Sequence, residues 1–197
     1  MGKSRLEAFS DGVIAIIITI MVLELKTPEG ANWNALKPIA PVFLSYVLSF
    51  IYIGIYWNNH HHLMHLVKHI SAGIMWANLN LLFWLSLIPF ATAWLGDNHL
   101  QPFPTALYAA LLGMCGFAYT ILQIMIEKCH KEETRLKKIM QRQRGKGIAS
   151  MCLYISAIPL AYVNTIISAA LFVVVAVMWF IPDKQIEKTV TNEGNAL

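Results

Sequence analysis

Hydrophobic residues occupy most of this chain, and charged residues are confined to a few short segments. Four runs contain no Asp, Glu, Lys or Arg, and they cover Pro38–Val67, His69–Gly96, Asn98–Ile126 and Gly147–Pro182. Each run exceeds the roughly 20 apolar residues that a helix needs to cross a bilayer. The pattern therefore predicts an all-α membrane protein.

The lengths of these runs predict the number of helices. The first three have room for one helix each, whereas the 36 residues of the fourth would span about 54 Å as one helix, against a hydrocarbon core of about 30 Å. We expect two short helices there, with a turn near Pro159–Asn164. Another helix is expected at the N-terminus, where an apolar stretch lies between Asp11 and Glu24. The six predicted helices cover about residues 6–25, 39–58, 72–95, 103–126, 147–162 and 165–181.

The distribution of Lys and Arg indicates an orientation, because basic residues stay on the cytoplasmic side. Six spans with both termini in the cytoplasm leave only Lys26 and Lys37 outside, so that 13 of the 15 basic residues lie inside. The sequence thus predicts one six-helix transmembrane domain over residues 1–182 and a cytoplasmic polar tail over residues 183–197. No cleavable signal peptide is expected, since Asp11 interrupts the start of the first apolar stretch.

Composition agrees with this topology and limits the classes of binding partner. Hydrophobic residues make up 57% of the chain and charged residues 13%, whereas soluble domains carry about 25% charged residues. A soluble globular domain is therefore excluded. The basic stretch between Lys128 and Lys146 suits contact with anionic membrane lipids, and no nucleic-acid partner is expected. The three cysteines have no CxxC spacing, so neither a disulfide nor a thiolate metal site is expected.

The first predicted helix differs from the other five in having carboxylates at both ends and a threonine in its middle. At about 100° per residue, one arc of about 80° contains Arg5, Phe9, Gly12, Ile16, Ile20 and Leu23. Thr19 lies about 60° from Ile16. We call Phe9, Ile16, Thr19, Ile20 and Leu23 the α1 stripe, where α1 is the first helix. Spacing alone fits an ordinary isoleucine-rich span as well as a pore lining.

Two segments resemble the TMEM175 family of potassium channels. Residues 5–11, RLEAFSD, match the RxxxFSD signature of that family in full, and residues 56–62, YWNNHHH, resemble the end of its second helix. For a chain with one six-helix repeat, the resemblance implies a homotetramer whose first helices line a central pore, without a re-entrant filter loop. It also implies passive K⁺ conduction across a prokaryotic inner membrane, with no cofactor and no enzymatic activity.

The resemblance further implies roles for individual residues. Ile16 corresponds to the narrowest point of the pore, Ile20 and Leu23 follow on the same face, and Thr19 matches a threonine associated with selectivity. Rings of apolar side chains dewet a pore, and K⁺ loses its water more easily than Na⁺. A moderate preference for K⁺ is therefore expected.

The FSD segment is interpreted as a brace for the pore helix. Its expected members are Arg5, Phe9, Ser10, Asp11, Trp57 and His61. Arg5 and Asp11 lie about 9 Å apart along the helix axis, and they are expected to bond to each other or to polar groups of the second helix.

A cluster of histidines between His60 and His69 supports an alternative. On a continuous helix, His61, His65 and His69 would share one face, a spacing that can hold Zn²⁺. The alternative function is a histidine-dependent membrane metalloenzyme or metal-binding protein. The competing interpretation is an interfacial helix end whose histidines cap carbonyls or contact the FSD segment. A secondary transporter is disfavoured, because the predicted spans contain no charged or broken mid-membrane helix.

Overall fold

Helices make up most of the described chain. The computed structural model describes residues 2–130 and 134–180, so the predicted tail over residues 183–197 lies outside the described residues. The α-helices are α1 (Lys3–Leu23), α2 (Trp33–Leu36), α3 (Ala40–His65), α4 (Ala72–Ser86), α5 (Ile88–Asp97), α6 (Pro102–Cys129), α7 (Thr134–Val163) and α8 (Thr165–Phe180). A short 3₁₀ turn at Lys37–Ile39 joins α2 to α3.

The prediction of an all-α membrane fold is confirmed. Within the described ranges, five apolar elements are long enough to cross a membrane: α1, the unit of α2 and α3, the unit of α4 and α5, α6, and the part of α7 from Gln143 onward. The sixth apolar helix, α8, is shorter, with 16 residues. The orientation of these helices across the membrane stays a prediction.

The second predicted helix was expected to end near residue 58, and this boundary is wrong. The structure continues α3 through the histidine-rich segment to His65. No Gly or Pro interrupts residues 55–65, so nothing in the local sequence stops the helix there.

Two breaks divide the longer apolar runs. Between α4 and α5, Pro89 stands at the start of α5, where it cannot donate the backbone bond that a continuous helix would need. Between α7 and α8, the break comes at Asn164, whose Oδ1 accepts hydrogen bonds from the backbone N–H groups of Ile166 and Ile167. Pro159 lies inside α7. Asn164 therefore begins α8 as an N-terminal cap.

Helix α6 lies at the centre of the fold, where it contacts α4, α5, α7 and α8. Helix α1 packs at one side of this core, against α3, α4 and α5. Helices α3 and α5 approach closely at Gly96, where an added Cβ would stand 2.6 Å from the Cα of Val42. Small residues at such crossings favour tight helix packing in membranes. The core thus fixes α3, α4 and α5 as the platform that holds α1.

Candidate pore-lining helix and its polar anchor

One face of α1 packs against the rest of the chain. Leu6, Ser10, Ile14, Ile17 and Met21 are buried at spacings of three and four residues. This spacing is that of a single helical face, and it fixes the rotation of α1 on α3, α4 and α5. The other face is consequently left without cover from the chain itself.

The α1 stripe lies on that uncovered side. The exposed fractions are 48% for Phe9, 58% for Ile16, 43% for Ile20 and 80% for Leu23, and Thr19 is also exposed. Thr19 stands about 180° from the centre of the buried face, and Ile16 about 120° from it. The structure therefore presents all the residues that the sequence assigns to a constriction on the surface of a single chain.

The hydroxyl of Thr19 is oriented by the helix backbone. Its Oγ1 donates a hydrogen bond to the carbonyl oxygen of Ile16 at 2.9 Å. Because the hydroxyl proton is used in this bond, the lone pairs of Oγ1 remain as acceptors on the exposed face. This orientation suits a cation better than an anion.

The FSD segment is joined to α3 by a direct hydrogen bond. Trp57 Nε1 donates to Asp11 Oδ1 at 3.0 Å, and the carboxylate strengthens this bond by its charge. The indole of Trp57 stacks on the ring of His61, with centroids 6.1 Å apart and an angle of 25° between the planes. His61 therefore contacts Trp57 but has no direct bond to Asp11 among the described residues.

A second, buried connection joins three helices. Ser10 Oγ donates to the Leu6 carbonyl at 2.9 Å and accepts from Asn78 Nδ2 at 2.9 Å. Asn78 Oδ1 stands 2.7 Å from His60 Nε2. Because Oδ1 can only accept, His60 Nε2 carries the proton and donates it. This Ser10–Asn78–His60 network links α1 to α4 and α3, and all three residues are buried.

Buried polar groups inside apolar surroundings are costly unless they are hydrogen-bonded. The Ser10–Asn78–His60 network satisfies its members mutually, so it holds α1 at one specific position. The brace expected from the sequence contains Ser10, but its histidine is His61 and it does not include Asn78. The polar Asn78 within an apolar span was the signal for a buried bond, although the sequence does not show which helix it meets.

Arg5 does not pair with Asp11. Both side chains are exposed, and within the described part of the chain no hydrogen bond or ion pair joins them. Six residues on a helix turn Asp11 about 120° away from Arg5, which explains the separation. Instead, Lys3 Nζ donates to the His65 carbonyl oxygen at 3.3 Å and ties the first turn of α1 to the last turn of α3. The sequence does not predict this contact.

The three-histidine face of the alternative interpretation is not formed. Helix α3 ends at His65, so His69 falls in the connection to α4, where it stacks on His130 with ring centroids 6.5 Å apart. Among the described residues, no group of three or more His, Cys, Asp or Glu side chains is placed to hold a metal ion. This alternative fails because it requires a helix that continues through Lys68, whereas α3 ends at His65.

Comparisons with known proteins agree with these features. A family model described as endosomal/lysosomal potassium channel TMEM175 matches residues 5–89. A protein of Chryseobacterium sp. (strain P1-3) that is named a potassium channel is 52% identical over 189 residues, which cover 96% of this chain and 98% of that protein. The human endosomal/lysosomal proton channel TMEM175 is 35% identical over 96 residues, 42% of this chain and 19% of that protein.

The fold also matches a solved structure. The crystal structure of a lysosomal potassium-selective channel TMEM175 homolog from Chamaesiphon minutus superposes with a TM-score of 0.74 at 25% sequence identity, and the match covers 90% of this chain and 95% of that chain. The family and these relatives are channels and not enzymes, so the metalloenzyme alternative has no support. The family requires no cofactor. With its several apolar helices the chain is a multi-pass membrane protein, and it belongs to the TMEM175 family.

Proposed function

We propose that this protein is a passive, potassium-permeable cation channel of a prokaryotic inner membrane. Its relatives from Chryseobacterium and Chamaesiphon minutus are named potassium channels, and the first of them matches this chain over nearly its whole length. The permeant ions are K⁺ and similar monovalent cations.

We infer that the channel is a homotetramer with α1 around its axis. The observation that carries this inference is the division of α1 into a packed face and the exposed α1 stripe. A single chain offers an ion no enclosed path along that stripe. Four copies around one axis would turn the stripes toward one another and enclose a path. The uncovered face of α1 would then line that path instead of facing lipid.

The α1 stripe accounts for conduction with a moderate preference for K⁺. Rings formed by Ile16, Ile20 and Leu23 would narrow and dewet the path, so that an ion has to lose part of its hydration shell. K⁺ gives up water at lower cost than Na⁺. The Thr19 oxygens have their lone pairs on the exposed side, and they would replace a few of the water oxygens that the ion has lost. Discrimination of this kind is weaker than in a filter of backbone carbonyls.

Ion flux through liposomes tests the function. Purified protein is reconstituted into vesicles loaded with K⁺ or Cs⁺, and efflux is followed down the gradient with a fluorescent reporter of membrane potential. We expect both ions to leave faster than from protein-free vesicles, without an added energy source. An absence of K⁺ and Cs⁺ flux in vesicles that hold folded protein would contradict the proposal.

The position of the constriction is tested by Ile16→Asn. An amide at this ring would keep water in the narrow part of the path, so we expect the K⁺ to Na⁺ permeability ratio to fall toward one while K⁺ flux is retained or increased. The matched control is Val22→Asn, because Val22 is an exposed residue of the same helix that lies about 120° from Ile16. Unchanged selectivity in Ile16→Asn would remove this residue from the constriction.

A further inference from the structure

His61 and His65 form a close pair one turn apart on α3. Their Nε2 atoms are 3.1 Å apart, and the ring centroids are 4.4 Å apart with the planes at 82°. Both side chains are exposed on the surface of the single chain. No other hydrogen bond of either imidazole is present among the described residues.

The two Nε2 atoms share one proton in this arrangement, since a hydrogen bond between them needs one donor and one acceptor. If that proton moves to Nδ1 of its own ring, both Nε2 lone pairs become available in the same small space. The only bond lost is the one between the two rings. The neutral form of both imidazoles is also the form that metals bind.

The spacing of the two nitrogens fits a transition-metal ion. Zinc binds imidazole nitrogen at about 2.0–2.1 Å, which places two such nitrogens about 3.3–3.4 Å apart in a tetrahedral shell and about 2.9 Å apart at neighbouring corners of a square. The observed separation of 3.1 Å lies between these values. The separation of the two nitrogens therefore differs by only about 0.2–0.3 Å from that of a chelating pair.

We propose that His61 and His65 form a two-histidine chelate for a divalent transition-metal ion such as Zn²⁺, Ni²⁺ or Cu²⁺, with water completing the coordination shell. The site differs from the three-histidine arrangement suggested by the sequence, because His69 lies beyond the end of α3 and faces His130. It also does not depend on ion conduction.

The surroundings of this chelate set its strength and its location. Lys3 Nζ lies at the His65 carbonyl and opposes a cation, so we expect micromolar binding and not the tighter binding of a structural metal site. His61 stacks on Trp57, which is bonded to Asp11. A bound ion would therefore bring positive charge next to the anchor of α1.

Calorimetric titration of the tag-free protein with Ni²⁺, at neutral pH in detergent, tests the proposal. We expect one ion per chain, and binding at least about tenfold weaker in His61→Ala and in His65→Ala. The matched control, His69→Ala, should bind as the unmodified protein does. Wild-type affinity in His61→Ala, or an equal loss in His69→Ala, would overturn the two-histidine site.

Paramagnetic resonance of bound Cu²⁺ gives a second measurement that does not depend on flux or on the stability of a variant. The unmodified protein should show two imidazole nitrogens on the copper ion, and His65→Gln should show at most one. A spectrum with no imidazole nitrogen in the unmodified protein would contradict the proposal.

Discussion

Helices α1 and α6 are both long and apolar, yet they occupy opposite positions in the fold. In the most apolar stretch of α6, 50% of the residues are buried inside the chain, against 28% for α1. Helix α6 contacts helices on several sides, whereas α1 meets α3, α4 and α5 on one face only. Hydropathy does not distinguish the two helices, although their roles differ.

The difference follows from the solvent of a membrane protein. Lipid tails are as apolar as leucine, so an apolar side chain gains little by moving from lipid to the protein interior. Close packing and polar contacts decide which helix becomes the core. Helix α6 has buried residues along its length, among them the small residues Ala109, Cys115 and Ala118 and the larger Leu112. Helix α1 is instead located by polar bonds near its N-terminal end.

The largest effect on the free energy of unfolding is expected when a leucine of α6 is truncated, and the matching truncation in α1 should have little effect. Leu112 is fully buried in α6, so Leu112→Ala should lower the free energy of unfolding by about 2–4 kcal/mol through lost contacts and a cavity. Leu23 is the most exposed member of the α1 stripe, and Leu23→Ala should change this free energy by less than about 0.5 kcal/mol. Denaturant unfolding in detergent micelles measures both. A Leu23→Ala variant as unstable as Leu112→Ala would contradict the contrast between the helices.

An intermediate effect is expected when the buried network that holds α1 is broken. Asn78→Leu removes the hydrogen bonds of Asn78 to both Ser10 and His60. The buried Nε2 of His60 is left unsatisfied, whereas Ser10 Oγ keeps its bond to the Leu6 carbonyl. We expect a loss of about 1–3 kcal/mol in the free energy of unfolding. The control is Asn80→Leu, since Asn80 lies in the same helix and is only half-buried. Equal losses in both variants would show that the network adds nothing beyond the general cost of altering α4.

The separation of α1 into a packed face and the exposed α1 stripe can be predicted from the sequence, because a helical face is a local property. At 100° per residue, the α1 stripe and the buried residues Ile14 and Ile17 separate without knowledge of the neighbouring helices. The charge-free runs likewise predict five apolar helices, since bilayer thickness limits their length, and the N-terminal apolar stretch between Asp11 and Glu24 predicts the sixth. Both features depend only on helix geometry and on the surrounding solvent.

The anchor of α1 could be predicted only in part, because it depends on how three helices pack. The FSD segment and Trp57 were assigned to one brace, but the choice between His60 and His61 depends on the rotation of α3. Asn78 is 68 residues from Ser10, and no periodicity connects them. The end of α3 at His65 was missed for a similar reason, since the next residues contain no proline or glycine that would end a helix.

The smallest effect is expected at the exposed bond between Trp57 and Asp11. Trp57→Phe keeps an aromatic ring beside His61 but removes the Nε1 donor. We therefore expect the free energy of unfolding to fall by about 0.5–1 kcal/mol. A double-mutant cycle with Asp11→Ala isolates the bond. Once one substitution has removed the bond, the other should lower the free energy of unfolding by no further amount on account of this contact. Trp76→Phe is the control, as Trp76 is an exposed tryptophan of α4.

This cycle separates two ways of holding α1. A coupling free energy of about 0.5–1 kcal/mol between Trp57 and Asp11 would mean that the exposed bond adds to the buried network and fixes the tilt of α1 relative to α3. A coupling of zero would mean that, of the two polar connections, only the Ser10–Asn78–His60 network contributes to holding the helix. In that case Asp11 would be free to serve as a negative charge near the N-terminal end of the α1 stripe, and Asp11→Asn would reduce cation flux without changing the free energy of unfolding.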